Sequence, residues 1–268
     1  MQNSSEMIHG IPRRNAFKIM CDTVHALLMR EVKARFGSSK LGYFWVIAEP
    51  LAQAAVLGLL FTLIGRNSFA NVPVALFLFT GILPFKLFSK LLSQLSVGIA
   101  SNKALFAYRQ VAPIDPVITR FVIEIATYAI VYLVIMAALA WLGFDVVPDQ
   151  LLPFFMANGL LIIISFGLGL ALCAAVQEWE DTPKLLAMVL TPMFYLSGVF
   201  FAATMIPAQY WYLLTWNPIF HIIELSRDAY FVSYTTPVGD WRYVMLCALV
   251  LLFLGLGLYR INRVRFSA

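Results

Sequence analysis

Six apolar stretches, each close to the length of a bilayer crossing, set the limits on what this chain can become. They run approximately over Phe44–Ile64, Pro73–Leu95, Val117–Leu142, Pro153–Val176, Lys184–Ala203 and Tyr243–Tyr259, each bounded by charge, Pro or Gly clusters. A helix needs roughly 20 apolar residues to traverse about 30 Å of hydrocarbon. Main-chain polar groups inside lipid must be bonded within the segment, so helices are the economical assignment; the alternation of a β-barrel is absent. Only 12% of the 268 residues are charged and mean hydropathy is +0.83, whereas a soluble domain is about 25% charged. The expected fold is an all-α integral membrane protein with six transmembrane helices, residues 44–268 forming the membrane domain.

Residues 1–43 read differently. A polar, basic stretch over 1–15 precedes Phe17, Met20, Val24, Leu28 and Val32, whose spacing predicts one apolar face of a helix over Ala16–Phe36. That helix is too charged to span, so it is expected to lie along the cytoplasmic membrane surface, where anionic headgroups attract Arg30, Lys33, Arg35 and Lys40. The first forty residues hold no uninterrupted apolar core ahead of a small-residue cleavage site, so a cleavable signal peptide is not expected.

Lys and Arg in the connections set the orientation. Fourteen of the 19 fall in 1–43, 99–120, 177–184 and 260–268, and three in 65–72, 143–152 and 204–242. The positive-inside rule then puts both termini in the cytoplasm. On the outer side, Met205–Trp241 is apolar but broken by Pro207, Pro218 and Pro237 into pieces too short to cross. These read as interfacial or re-entrant helices between spans five and six, with Tyr210, Trp211, Tyr212, Trp216 and Trp241 at headgroup level.

The chain has no GxxxxGK[ST] loop and no Gly-Lys pair, so any nucleotide hydrolysis must come from another polypeptide. Cys21, Cys173 and Cys247 lack disulfide or metal spacing and read as packing residues; no metal and no nucleic-acid partner is implied. Charged groups at membrane depth are functional candidates by default. Glu49, one turn into the first span, faces either a pathway or the interface. Lys86 and Lys90 share a face of the second span, where they either snorkel or make an electropositive lining. Arg120 and Glu124 are spaced to pair on the third. Glu178, Glu180 and Asp181 either cap the next helix or meet a partner protein. His221 and Glu224, three apart, superficially resemble a catalytic pair but lack a nucleophile or metal spacing. Gly167, Ala171 and Ala175, with Gly255 and Gly257, allow close helix approach. The loop Asn102–Pro116 offers Leu105, Phe106 and Tyr108 as apolar anchors and Arg109 and Asp115 as polar ones, either as a docking element or as an ordinary surface loop.

Four segments in order resemble one family. REVKARFGSSKLGYFWVIAEP at Arg30–Pro50, LPFKLF at Leu83–Phe88, LFAYRQVAPID at Leu105–Asp115 and IPAQYWYLLTWNPIFHIIELSRDA at Ile206–Ala229 are similar to ABC-2 type permeases, specifically capsular polysaccharide exporters of the KpsM type. The first motif is shared with O-antigen and teichoic acid exporters, which stand as the alternative family reading. An ion-coupled secondary transporter is a further alternative, though no internal repeat is found. The resemblance implies a homodimer in the inner membrane, each permease docked to a separate ABC ATPase subunit that carries ATP and Mg2+, with no cofactor on this chain. It also implies a lipid-linked acidic polysaccharide as cargo, and a periplasmic adaptor and outer-membrane channel as further partners. Under it, Arg30, Lys33, Arg35 and Lys40 collect the glycolipid, and Tyr43, Trp45, Glu49, Lys86, Lys90 and Tyr195 line its path. Leu105, Phe106, Tyr108, Arg109 and Asp115 couple to the ATPase. Tyr210, Trp211, Trp216, Asn217, Pro218, His221, Glu224 and Arg227 belong to the outer re-entrant gate.

Overall fold

The structure, a computed structural model, describes residues 16–36, 42–65, 68–69, 72–108 and 111–266. Among these, helices α1 (Ala16–Phe36) and α2 (Gly42–Leu63) lead to a two-residue antiparallel pair, β1 (Ser68–Phe69) and β2 (Val72–Pro73). Then follow α3 (Val74–Ser96), a 3-10 segment over Ala100–Ala107, α4 (Ile114–Trp141), α5 (Leu151–Glu178) and α6 (Thr182–Leu196). Two 3-10 turns, Ala203–Met205 and Ala208–Leu213, precede α7 (Pro218–Tyr230) and α8 (Trp241–Phe266).

Each of the six apolar stretches has a helix of its own, though the fifth runs on past the end of its helix. Four helices among the described residues are long and apolar enough to cross a membrane: α3, α4, α5 and α8, the last over Trp241–Arg263. The apolar parts of α2 and α6, Ile47–Phe61 and Thr182–Leu196, are shorter. For α6 the difference has a local cause. The stretch predicted to run to Ala203 stops at Leu196, and Gly198 then takes a left-handed φ of 72°, a conformation a Cβ would strain. Beyond it the carbonyls of Gly198, Val199 and Phe201 turn to the Arg227 guanidinium. The outer segment differs in the same way. Its first piece, expected as a helix, is a pair of 3-10 turns; only the second, α7, is an α-helix.

The α3 helix is the centre of the fold. Its apolar window is 78% buried, against 17% for α8, because α2, α4, α5, α6 and α7 all pack around it. The Cys173 thiol of α5 donates to the Leu95 carbonyl at 2.8 Å, a packing role that ties α5 to the end of α3. Leu246, Leu249, Phe253 and Ile261 of α8 stay exposed, as do Leu51, Val56, Leu59 and Leu60 of α2. Apolar side chains on the outside of a helix bundle are what a lipid-facing surface requires.

Candidate functional site

Between α2, α3 and α4 lies a cavity of about 600 Å³ with a polar lining inside otherwise apolar helices. Lys86 and Lys90 enter from α3 one turn apart, Glu49 from α2, and Glu124, Thr127 and Tyr128 from α4. Lys86 Nζ donates to Glu49 Oε1 at 2.5 Å. Glu49 is on the cavity wall, and Lys86 on the same wall is paired with its carboxylate. Trp45 and Tyr195, the aromatic path candidates, are 64% and 58% exposed on α2 and α6. Tyr43 lies in α2 and Arg35 in α1, their side chains outside the described set; Lys40 and Arg109 fall outside the described residues.

Next to the cavity, at the C-terminal end of α3, a second network joins α1 to the 3-10 segment. Arg30 donates to Asn102 Oδ1 at 2.6 Å, and buried Asn102 donates to the Gly98 carbonyl at 2.9 Å. Arg120 of α4 donates to Gln94 O at 3.0 Å and Ser101 Oγ at 2.8 Å, and makes an ion pair with Glu31 of α1 at 3.5 Å. The four-residue spacing to Glu124 does not predict that partner on α1. Leu105 and Phe106 are half-buried, Phe106 against the core, whereas Tyr108 is 67% exposed. Lys33 is exposed on α1. Asp115 is buried, its Oδ2 accepting the Ala112 N–H at 2.8 Å, so it shapes the turn into α4 instead of presenting a carboxylate outward. Arg120→Ala removes charge-assisted bonds to three elements and is expected to cost roughly 1.5–3 kcal/mol, read as a lower thermal midpoint in nanodiscs.

The outer segment is organised by α7, nearly all of which is buried. Asn217 caps it, its Oδ1 accepting the Ile219 N–H at 2.9 Å while its Nδ2 donates to Ser197 Oγ at 3.0 Å; Pro218 fits the first turn. His221 Nε2 lies 2.8 Å from the Thr215 carbonyl, and the Asp240 N–H donates to its Nδ1 at 3.3 Å. Only the tautomer protonated on Nε2 satisfies both bonds, which leaves His221 tying the ends of its own loop. Glu224 accepts from the Tyr234 hydroxyl, from Thr236 at 3.1 Å and from the Ala203 N–H at 3.4 Å, with Arg227 at 3.7 Å. Burial pushes its carboxyl above the usual carboxylate range, against the opposing pull of Arg227 and these hydrogen bonds.

Arg227 is wholly buried. It donates to the carbonyls of Gly198 at 2.6 Å, Val199 at 3.0 Å, Phe201 at 3.1 Å and Phe77 at 3.2 Å, and its guanidinium carbon lies 3.7 Å from the Phe77 ring centre. Burial lowers it to about 10, so it stays cationic at neutral pH. Trp211 donates to Ile206 O at 3.0 Å; Trp216 and Tyr210 are about half exposed, as rings at a headgroup level would be.

The sequence profile of the ABC-2 type transporter family matches residues 23–231, a span that holds the cavity, the α1 network and α7 itself. The chain belongs to this family. It is 37% identical over 248 residues to the polysialic acid transport protein KpsM of Escherichia coli, covering 92% of this chain and 96% of that protein. It is 33% identical over 235 residues to the capsule polysaccharide export inner-membrane protein CtrC of Neisseria meningitidis serogroup A, covering 87% and 88%. Over 247 residues it is 30% identical to the capsule polysaccharide export inner-membrane protein BexB of Haemophilus influenzae, covering 91% and 92%.

In this ABC-2 type chain several residues of the two networks escaped the sequence reading. Glu31, Asn102, Tyr234 and Thr236 meet their partners across 10 to 89 positions, so no local spacing flags them. Gly81 did carry a signal, a glycine inside an apolar helical run. A Cβ there would stand 2.6 Å from Arg227 Nη2 and 3.0 Å from Val199 Cα.

Proposed function

We propose that this chain is the permease subunit of an ATP-driven exporter that moves lipid-linked acidic capsular polysaccharide outward across the inner membrane. The observation that carries this is near full-length similarity to proteins named for polysialic acid transport or capsule polysaccharide export, at 30–37% identity over 87–92% of the chain. In this reading two copies form the pathway and each docks a separate ATPase subunit, which holds ATP and Mg2+; a periplasmic adaptor and an outer-membrane channel extend the route. The two shorter apolar helices α2 and α6 complete six spans through tight packing or bilayer thinning. Both termini face the cytoplasm, and residues 203–241 re-enter on the outer side to close the exit.

Closure of the ATPase pair on ATP draws the loops over 102–116 together and rocks the two permease halves, a ligand-driven bias on a two-state interface. Arg30, Lys33, Arg35 and Lys40 collect the acidic glycolipid at the cytoplasmic mouth. Trp45, Tyr43 and Tyr195 offer ring faces on which sugars slide without strong selection. Reversing the charge of the four basic residues together is expected to cut capsule export at least about tenfold, with membrane insertion unchanged. Surface capsule and membrane-fraction blots read the two quantities; normal capsule in that variant would sink the assignment. Co-purification with a Walker-motif ATPase whose hydrolysis rises with acidic glycolipid tests the reading directly.

A further inference from the structure

The cavity between α2, α3 and α4 pairs a deeper cation with a shallower anion. The Lys86 side chain is 29% exposed and that of Glu49 is 69% exposed, so the carboxylate reaches the ammonium from the open side. Lys90 stands one turn along α3 on the same face, and the hydroxyls of Ser89 and Thr127 line the same space. At about 600 Å³ the cavity falls within the roughly 300–1,000 Å³ range of small-ligand sites. The helices that wall it also carry exposed apolar residues: Leu51 and Val56 on α2, Val122 and Ile130 on α4 are 37–59% exposed. An anionic headgroup held at the lysines would leave its acyl chains beside these apolar helix surfaces.

We infer that Glu49 is a resident placeholder anion on Lys86, which the carboxylate or phosphate of a lipid-borne ligand displaces, so that Lys86 and Lys90 then clasp that group together. The exchange replaces one charge-assisted hydrogen bond by another, so Lys86 does not pass through an unpaired state at membrane depth. With Glu49 swung away, two ammonium groups face the cavity and favour an anion; with Glu49 returned, Lys86 is paired again and the ligand is let go. The site thus binds and releases an anionic head without a large change in its own shape. This deepens the export reading, and rests on it for the part the ligand plays in transport.

The test uses the purified full chain in phosphatidylcholine nanodiscs doped with phosphatidylglycerol, with retained anionic lipid counted by native mass spectrometry. Glu49→Gln frees Lys86 from a part-exposed pair and is expected to raise retention roughly two- to fivefold. Lys86→Gln is expected to lower it about tenfold, and Lys86→Arg to restore it, which separates lost charge from lost folding. The double variant Glu49→Gln/Lys86→Gln is expected to match Lys86→Gln, since Glu49 acts through Lys86. Unchanged or weaker retention in Glu49→Gln overturns the placeholder, as does a gain that survives in the double variant. Inorganic phosphate or glucuronate displacing the lipid at equal concentration overturns the lipid-borne part. Because neither ATPase nor polysaccharide is present, failure of the export reading leaves these ratios untouched, and failure of the placeholder leaves wild-type export intact.

Discussion

Arg227→Met is expected to destabilise the folded chain by about 3–5 kcal/mol, the largest loss of any single side chain in the outer segment. The guanidinium is the donor that the carbonyls of Gly198, Val199 and Phe201 use once α6 has ended, and it ties them to Phe77 on α3. Methionine fills much of the volume but leaves those acceptors without a donor and Glu224 without its cation, in a place water does not reach. Lysine does not rescue it, because one ammonium cannot present the planar fork that serves four carbonyls. Thermal unfolding in nanodiscs should show the drop, with hydrogen exchange rising first over 198–205. Adding Glu224→Gln to Arg227→Met should recover part of the loss, because the orphaned carboxylate is then gone. A Met variant with a wild-type midpoint would refute the idea that Arg227 holds this segment.

That cluster also marks where the sequence stops being readable. Apolar length is a local property, and five of the six stretches lie in a helix almost to the residue, with Ala16–Phe36 ahead of them. The end of α6 is not local. Lys184–Ala203 is largely apolar, yet α6 stops at Leu196 and the chain turns at Gly198, where an arginine 29 positions later supplies donors for carbonyls that have left the helix. Charges at membrane depth could be flagged one by one, since each is costly there, but spacing offers only partners on the same helix. Glu49 meets Lys86 over 37 positions, and Arg120 meets Glu31 from another helix. The acidic turn shows the same limit: Asp181 stands at the start of α6 without a side-chain cap bond and pairs with Lys184 at 2.7 Å, while Glu178 reaches Arg265. Spacing names the residues that must be satisfied; the fold decides by whom.

The small-residue pattern on α5 is a case where sequence and structure agree on the principle and differ on the residues. Gly167 meets α8 main chain, yet Ala175 of the same four-residue repeat is exposed. On α8 the two glycines part company. A Cβ on Gly255 would lie 2.1 Å from the Gly167 carbonyl oxygen, whereas one on Gly257 would find nothing within 4 Å. In lipid the association of helices comes chiefly from close packing, so forcing these two backbones apart removes the attraction itself. Gly255→Leu is therefore expected to cost about 3 kcal/mol or more, at or beyond the upper end for overpacked cores, because the obstacle is main chain and no rotamer evades it. Gly257→Ala, facing open space, should instead gain up to about 1 kcal/mol from helix propensity. Displacing α8 should also part Arg265 from Glu178 and expose Phe266, which is 2% exposed at the end of α8. Thermal midpoints of the two variants, with proteolysis near residue 266 as the second readout, check the contrast; equal midpoints would mean that α5 and α8 are not in the backbone contact drawn between them.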